Sequence, residues 1–331
     1  MRNHFKNYDS LIDILSTHKL KIKNKQLAKQ LIQERTYYAL INGFKQPFIN
    51  SQTKQFTQGI SMVDIYFQYG LEQRLKNILL TFLLRIETRY KESIAHQLGM
   101  NYGDIFENYM NPSNFVGKNK FIHDEVDFFT ETRNKLLTKR NTTPTKHYSM
   151  VKGYLPPWIF LHDLTFSPIN SIFKLLKPVL KRSVISYMLY DSTNFEKSVS
   201  SESIEMFNYS MALLVEFRNI LAHNSRIYRS KVNLFEKVNY SILTLFLGNS
   251  CISKEEFDEG LGNSDFMCLL LLIKILSGPL DSEEFVTHIV ALFDDYTESN
   301  SHLTKLYFKS LGLPTDFISR LAILDNNLAN L

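Results

Sequence analysis

Between Leu71 and Ile94 the apolar residues Leu71, Leu75, Ile78, Leu79, Phe82, Leu83, Ile86, Tyr90 and Ile94 recur at steps of three and four. That period puts them on one side of an α-helix, and only a bundle of other helices buries so long a stripe. Ser61 and Asp64 before it fit a variant of the capping box, and Gly99 is a plausible stop. The rest of the chain agrees with a helical fold. Its 331 residues hold 9 Pro and 12 Gly, about half the usual ~12% of helix breakers. No clear alternating strand and no fixed-period repeat is present. The expected fold class is all-α.

Charge is uneven along the chain. The formal net charge is +5. Residues 250–331 carry 5 basic and 13 acidic side chains, a net of −8, so residues 1–249 carry +13. A basic body points to a polyanion partner, although a solvated basic face reads the same way. The two cysteines, Cys251 and Cys268, make neither a disulfide framework nor a zinc set. The first fifteen residues lack the apolar block of a signal peptide. The longest apolar run, Phe266–Ile273, is too short to span a bilayer. The expectation is a cytoplasmic protein with no membrane partner.

The pattern divides into three segments. Residues 1–60 are expected to hold short helices around the basic stretch Lys19, Lys21, Lys23 and Lys25. Residues 61–249 are expected to form the helical core, with helices near Ser61–Leu98, Trp158–Leu189 and Ser201–Asn224. Residues 250–331 form the acidic, helical remainder, with helix-like stretches at Phe266–Leu276, Ser282–Asp294 and Leu303–Leu311. Another helix is expected near Asp124–Lys139. The stretch Arg140–Lys152, with its Thr, Asn, Pro and basic residues, reads as an exposed, mobile loop.

There is no Gly-rich phosphate loop and no His-Glu-x-x-His. The chemistry gathers instead at Arg218-Asn219-Ile220-Leu221-Ala222-His223. Asn219 and His223 share a helix face at ~100° per residue; Arg218 and His223 stand about 140° apart, which a long Arg side chain can span. An imidazole can carry the proton of an attacking ribose 2′-OH, and a guanidinium stabilises charge on phosphoryl oxygens. The plainer reading pairs Arg218 with a carboxylate and sets His223 at the helix C-terminus. A second pair, Arg89 and His96, lies on the long helix. The plainer reading there gives Glu87 and Arg89 interior ion pairs and puts His96 at a helix end.

The segment Phe217-Arg218-Asn219-Ile220-Leu221-Ala222-His223-Asn224-Ser225-Arg226-Ile227-Tyr228 resembles the "RN-x-x-x-H" region of Abi-like abortive-infection proteins of the AbiD/AbiF type, in the HEPN superfamily. Other elements agree in order: Tyr37-Tyr38 with Gly43-Phe44; Phe56 to Gly59; Tyr69, Arg74, Glu87 and Arg89; Leu155-Pro156-Pro157-Trp158 with Phe166; and Leu311-Gly312-Leu313-Pro314. The likeness runs from about Asp9 to Ile323. The chain departs from the family pattern at Gly70, His162, Ser167, Asn224 and Phe317.

The resemblance implies a HEPN-like bundle with added N- and C-terminal helices. It implies an endoribonuclease of phage defence that needs no metal or other cofactor. Arg218 and His223 are then catalytic, with Asn219 beside them, and Arg89 and His96 form a possible second pair. HEPN enzymes generally set two such motifs face to face, so a homodimer is expected, with Leu214 and Leu221 as candidate contacts unless the bundle core takes them; the rival is an internal composite site that uses Arg89 and His96 of the same chain. The partners implied are substrate RNA and a small non-coding regulatory RNA. Lys19, Lys21, Lys23, Lys25, Arg140, Lys146, Arg226 and Arg229 are the candidate RNA contacts. The alternatives are an RNA-binding HEPN module without turnover and an antitoxin-like interaction protein.

Overall fold

The computed structural model describes residues 5–116, 119–189, 199–223, 226–227, 232, 234, 238–248 and 250–324, with the backbone alone at 119–126. The described residues form helices and turns. Three isolated β-bridges occur, with no strand among the described residues. The fold is all-α, as the scarcity of breakers predicts. The helices of eight or more residues are α1 (Tyr8–Thr17), α2 (Lys25–Arg35), α3 (Met62–Tyr102), α4 (Asn119–Thr138), α5 (Phe166–Leu175), α6 (Pro178–Leu189), α7 (Ser201–Ala222), α8 (Tyr240–Leu247), α9 (Phe266–Leu276) and α10 (Pro279–Ser310).

The α3 helix is the long periodic run. Its start follows the capping pattern: the Ser61 backbone N–H donates to Asp64 Oδ2 at 2.7 Å, while the Asp64 N–H points back to Ser61 Oγ at 3.4 Å. It does not stop at Gly99 but runs three residues further, to Tyr102. Ring atoms of Trp158 lie 3.4 Å from where a Cβ on Gly99 would stand, so this glycine serves a close approach inside a helix. The stretch Arg140–Lys152 is also more ordered than its composition suggests. Thr143 caps a turn of helix at Pro144–His147, which widens into a π-turn over Tyr148–Lys152 and ends at Gly153 with φ 75°. Proline at the first helical position needs no N–H donor, so a Thr-Pro pair starts this helix rather than breaking it. The α10 stretch is two helices, as the sequence reads it, joined at a kink at Asn300, where φ and ψ leave the helical region. There the Asn300 side chain accepts from the Leu303 N–H at 3.0 Å and caps a second helix.

The chain divides into two units, each drawn from three stretches. The first comprises Met1–Leu79, Ile220–Ser230 and Thr287–Ile318. Its interior holds Ile12, Leu15, Ile32, Leu40, Phe44 and Leu75. The rings of Phe293, Phe308 and Phe317 pack with centroids 5.2–5.8 Å apart. Buried within it, the Tyr307 hydroxyl donates to Glu72 Oε2 at 3.1 Å, and Lys76 Nζ lies 2.9 Å from Glu72 Oε1. Burial and the neighbouring Glu72 carboxylate hold the Tyr307 phenol neutral, far above its ordinary range.

The second unit comprises Leu80–Asn219, Lys231–Val286 and Ser319–Leu331. Tyr90 sits at its centre, fully buried, with the rings of Phe166, Phe173 and Phe207 5.6–6.1 Å away. Its hydroxyl donates to Asn170 Oδ1 at 3.3 Å, so the one polar atom of that ring is satisfied. The α9 helix, Phe266–Leu276, is buried at every residue. The Nζ of its single cation, Lys274, meets the Leu321 carbonyl. Every face of α9 is covered by protein, which is why a run too short to cross a membrane is nonetheless apolar all round. No described helix is long and apolar enough to cross a membrane.

Candidate functional site

The α7 helix carries the Arg218–His223 segment. Ser200 Oγ accepts from the Ser203 N–H at 3.1 Å and starts the helix. Met206, Phe207, Met211, Leu213, Leu214 and Phe217 then bury it on most of its circumference. Arg218 and Asn219 are half-buried in its last turns, and His223 follows the helix directly, exposed to solvent. Leu214 and Leu221, expected as candidate contacts to a second copy, are buried in the core at 0% and 5% exposure. They are spent on holding α7 in place.

Arg218 is anchored from below. Its Nε donates to Glu87 Oε2 of α3 at 3.2 Å. The other oxygen of the same carboxylate meets Lys91 Nζ at 2.9 Å, one helical turn further along α3. Lys91 Nζ also reaches the His162 carbonyl at 3.4 Å. The side chains of Glu87, Lys91 and Arg218 are only 6%, 16% and 22% exposed. One carboxylate therefore sits between two cations, and the group as a whole keeps a positive charge. The plainer reading of Arg218, a carboxylate partner, holds in the structure. It is compatible with chemistry, because the ion pair uses Nε and no other described residue hydrogen-bonds the guanidinium. The edge formed by the two Nη groups remains for a phosphoryl group.

Glu87 belongs to the motif set of the sequence reading, but Lys91 does not. Its signal was the spacing Glu87–Lys91, i to i+4 with the acid first, which favours a pair on one helix.

Arg89 bonds to backbone carbonyls. Its Nη1 donates to the carbonyls of Met188 at 2.9 Å and Leu276 at 3.2 Å, and its Nη2 donates to that of Tyr187 at 2.6 Å. These are the last carbonyls of α6 and α9, which lack intrahelical partners. Arg89 thus caps two helix C-termini. His96 is exposed on α3, six residues before its end rather than at it.

The candidate RNA contacts are spread over both units. Lys19, Lys21 and Lys23 are exposed, Lys19 at a turn with φ 69°. Lys25 meets Asp13 at 3.2 Å, with both side chains open to solvent. Arg140 is exposed, and Lys146 Nζ donates to the Lys139 carbonyl at 2.8 Å. Arg226 Nη1 donates to the carbonyls of Asn42 and Gly43 at 3.2 and 3.1 Å. That pair of bonds ties the segment after His223 to the Gly43–Phe44 element. Arg229 lies outside the described residues, as does Asn224. Among the described residues no group of three or more His, Cys, Asp or Glu stands close enough to hold a metal ion. Cys268 is fully buried, and burial lifts its thiol far above the ordinary range; Cys251 is raised for the same reason. Neither is a reactive thiolate.

The chain matches the family model described as Abi-like protein over residues 30–229, more than half of its length. That range takes in Glu87, Lys91, Arg89, His96, Arg218 and His223. It is narrower than the Asp9–Ile323 span of the motif resemblance and leaves out Lys19–Lys25 and the Gly312-Leu313-Pro314 element. No curated protein and no solved structure matches the chain.

Proposed function

We propose that this chain, which belongs to the Abi-like protein family and so to the abortive-infection proteins of phage defence, is an endoribonuclease of the HEPN kind. The observation that carries the reading is the Glu87–Arg218 pair. It fixes a half-buried guanidinium by Nε at the end of α7, with an exposed imidazole at His223 five residues on.

The reaction needs no metal. The ribose 2′-OH attacks the adjacent phosphorus, and His223 takes its proton as the new O–P bond forms. Arg218 holds the non-bridging oxygens as charge builds on them. The 5′-oxygen leaves with a proton from a second general acid. The products are a 2′,3′-cyclic phosphate and a 5′-hydroxyl. Asn219, next to Arg218 in the last turn of α7, orients the ribose or the imidazole. A second copy of the chain supplies the second acid, which makes the working form a homodimer. The basic residues Lys19, Lys21, Lys23, Arg140 and their neighbours bind the RNA backbone, either the substrate or a small non-coding RNA that restrains the enzyme.

A non-catalytic RNA-binding module is the second reading, favoured by the same ion pair, since an Arg218 committed to Glu87 also suffices to hold a phosphate. Expression separates the two. Wild-type protein is expected to arrest growth when its restraint is absent, and His223→Ala is expected to abolish the arrest while RNA still copurifies. Equal toxicity of both proteins favours the non-catalytic module.

A further inference from the structure

The exposed face of α3 carries Leu84, Thr88, Glu92, His96 and Met100, each four residues after the last. With α6 it walls two adjoining hollows. One, of about 380 Å³, is lined by Glu92, Ser93, His96, Gln97, Met100, Ser183 and Tyr187. The other is lined by Leu84, Arg85, Thr88, Arg89, Glu92 and Tyr187, so Glu92 and Tyr187 stand between the two. The volume of the first suits a small planar ligand.

Its polar groups are unevenly satisfied. Gln97 is 8% exposed, yet no described residue hydrogen-bonds its side-chain amide. Its amide lines the hollow and is open to a ligand there. Glu92 is exposed, and no described residue pairs with its carboxylate. The two serines have spent their protons, Ser93 on the Tyr90 carbonyl at 2.8 Å and Ser183 on the Val179 carbonyl at 3.3 Å. The cations of the groove are spent as well. Arg85 Nη1 spans Asp281 and Glu284 at 2.8 and 2.6 Å. Arg89 is engaged by three carbonyls and stacks over the Tyr187 ring at 5.2 Å. The groove therefore offers a phosphate nothing, and its uncompensated charge is the negative one of Glu92.

We propose that the groove between α3 and α6 is a nucleobase subsite that takes one unpaired guanine of the bound RNA. Guanine alone among the four bases presents two adjacent N–H donors beside a carbonyl on its pairing edge. The donors, N1–H and the exocyclic amine, match the two oxygens of Glu92, a charge-assisted bidentate contact. The O6 carbonyl accepts from Nε2 of Gln97. The Tyr187 and His96 rings supply the apolar face on which an unstacked base rests. This inference rests on the reading of the chain as an RNA-binding protein and adds base selectivity to it. Glu92 and His96 lie about one and a half and two and a half turns beyond Glu87 on α3, within reach of the same RNA strand.

The test is titration of the full-length protein with guanosine, inosine and adenosine 5′-monophosphates and with inorganic phosphate. Guanosine monophosphate is expected to bind best. Inosine monophosphate, which lacks the exocyclic amine, is expected to bind about tenfold more weakly, the cost of one charge-assisted hydrogen bond. Adenosine monophosphate and phosphate are expected not to compete. Glu92→Gln and Gln97→Leu are each expected to raise the Kd for guanosine monophosphate about tenfold or more, and His223→Ala to leave it unchanged. Glu92 is exposed, so its variant keeps the test valid even if Gln97→Leu unfolds. Equal binding of all three nucleotides, or no guanosine monophosphate binding at millimolar concentration, overturns the subsite. RNA cleavage without guanosine monophosphate binding sinks this inference alone. Binding without cleavage in any RNA sinks the nuclease reading and leaves the subsite standing.

Discussion

Glu87 is the residue on which the account turns. A carboxylate 6% exposed between Lys91 and Arg218 makes the guanidinium a fixed object rather than a mobile side chain. Replacing Glu87 with Gln removes the charge, loosens Arg218 and leaves two cations close together. Breaking a buried pair costs about 3 kcal/mol or more; the partial exposure of Arg218 and Lys91 puts the expectation near the lower end. Cleavage is expected to fall about tenfold in kcat with little change in KM, equivalent to ~1.4 kcal/mol of transition-state stabilisation. A double-mutant cycle separates positioning from mere destabilisation. If Glu87 acts through Arg218, adding Glu87→Gln to Arg218→Ala lowers kcat no further. An additional loss in the double variant, at a temperature where it stays folded, contradicts the positioning role. The Arg218–His223 motif was legible because its polar residues stand out against an apolar helix, whereas Glu87 came from the family resemblance and as a candidate for interior ion pairing. The sequence did not show that Arg89 closes the ends of α6 and α9. Carbonyl groups carry no residue letter, so a side chain that bonds to backbone leaves no pattern in the sequence.

At the scale of elements, α3 was legible almost in full, since burial on one stripe imposes a period that survives in the sequence. What was not legible was how far helices continue. Gly99 is a stop signal by propensity, but packing against Trp158 overrides it. The Pro144–Lys152 helix was hidden because proline and threonine read as loop residues unless their order, Thr then Pro, is taken as a cap. The acidic remainder is held by a side-chain pair that gives a pH prediction. Glu256 closes a capping box with Ser253 at the Lys254–Asp258 helix and accepts two bonds from Arg320, at 2.7 and 2.8 Å. The Arg320 bonds, with the Ser253 backbone N–H, hold its carboxyl down to about 2 against an ordinary 4.5. A carboxyl depressed by folding stabilises the native state above its unfolded value. That stabilisation is lost as pH falls from about 4.5 through about 2. Wild type is therefore expected to melt higher than Glu256→Gln at pH 7, and the gap to close across that window. A gap that is constant with pH contradicts the assignment.

For the whole molecule, the all-α class followed from the scarcity of glycine and proline, and the structure agrees. The subunit arrangement is a different matter, because no sequence period reports a two-fold axis. With Leu214 and Leu221 inside the core, a dimer contact must come from other surfaces. The composite site still gives a sharp expectation. Wild-type and His223→Ala chains coexpressed in equal amounts form about half heterodimers if they pair at random. Activity is then expected to fall below the share of wild-type chains. Activity strictly proportional to wild-type chains, from a monomer in solution, contradicts the dimeric site.

The most direct measurement is cleavage of single-stranded RNA by the purified full-length protein in excess EDTA, with analysis of the new ends. The account predicts 2′,3′-cyclic phosphate and 5′-hydroxyl ends from wild type, and no cleavage by His223→Ala, which still binds the RNA. Cleavage that EDTA stops, or that His223→Ala retains at the wild-type rate, would contradict it.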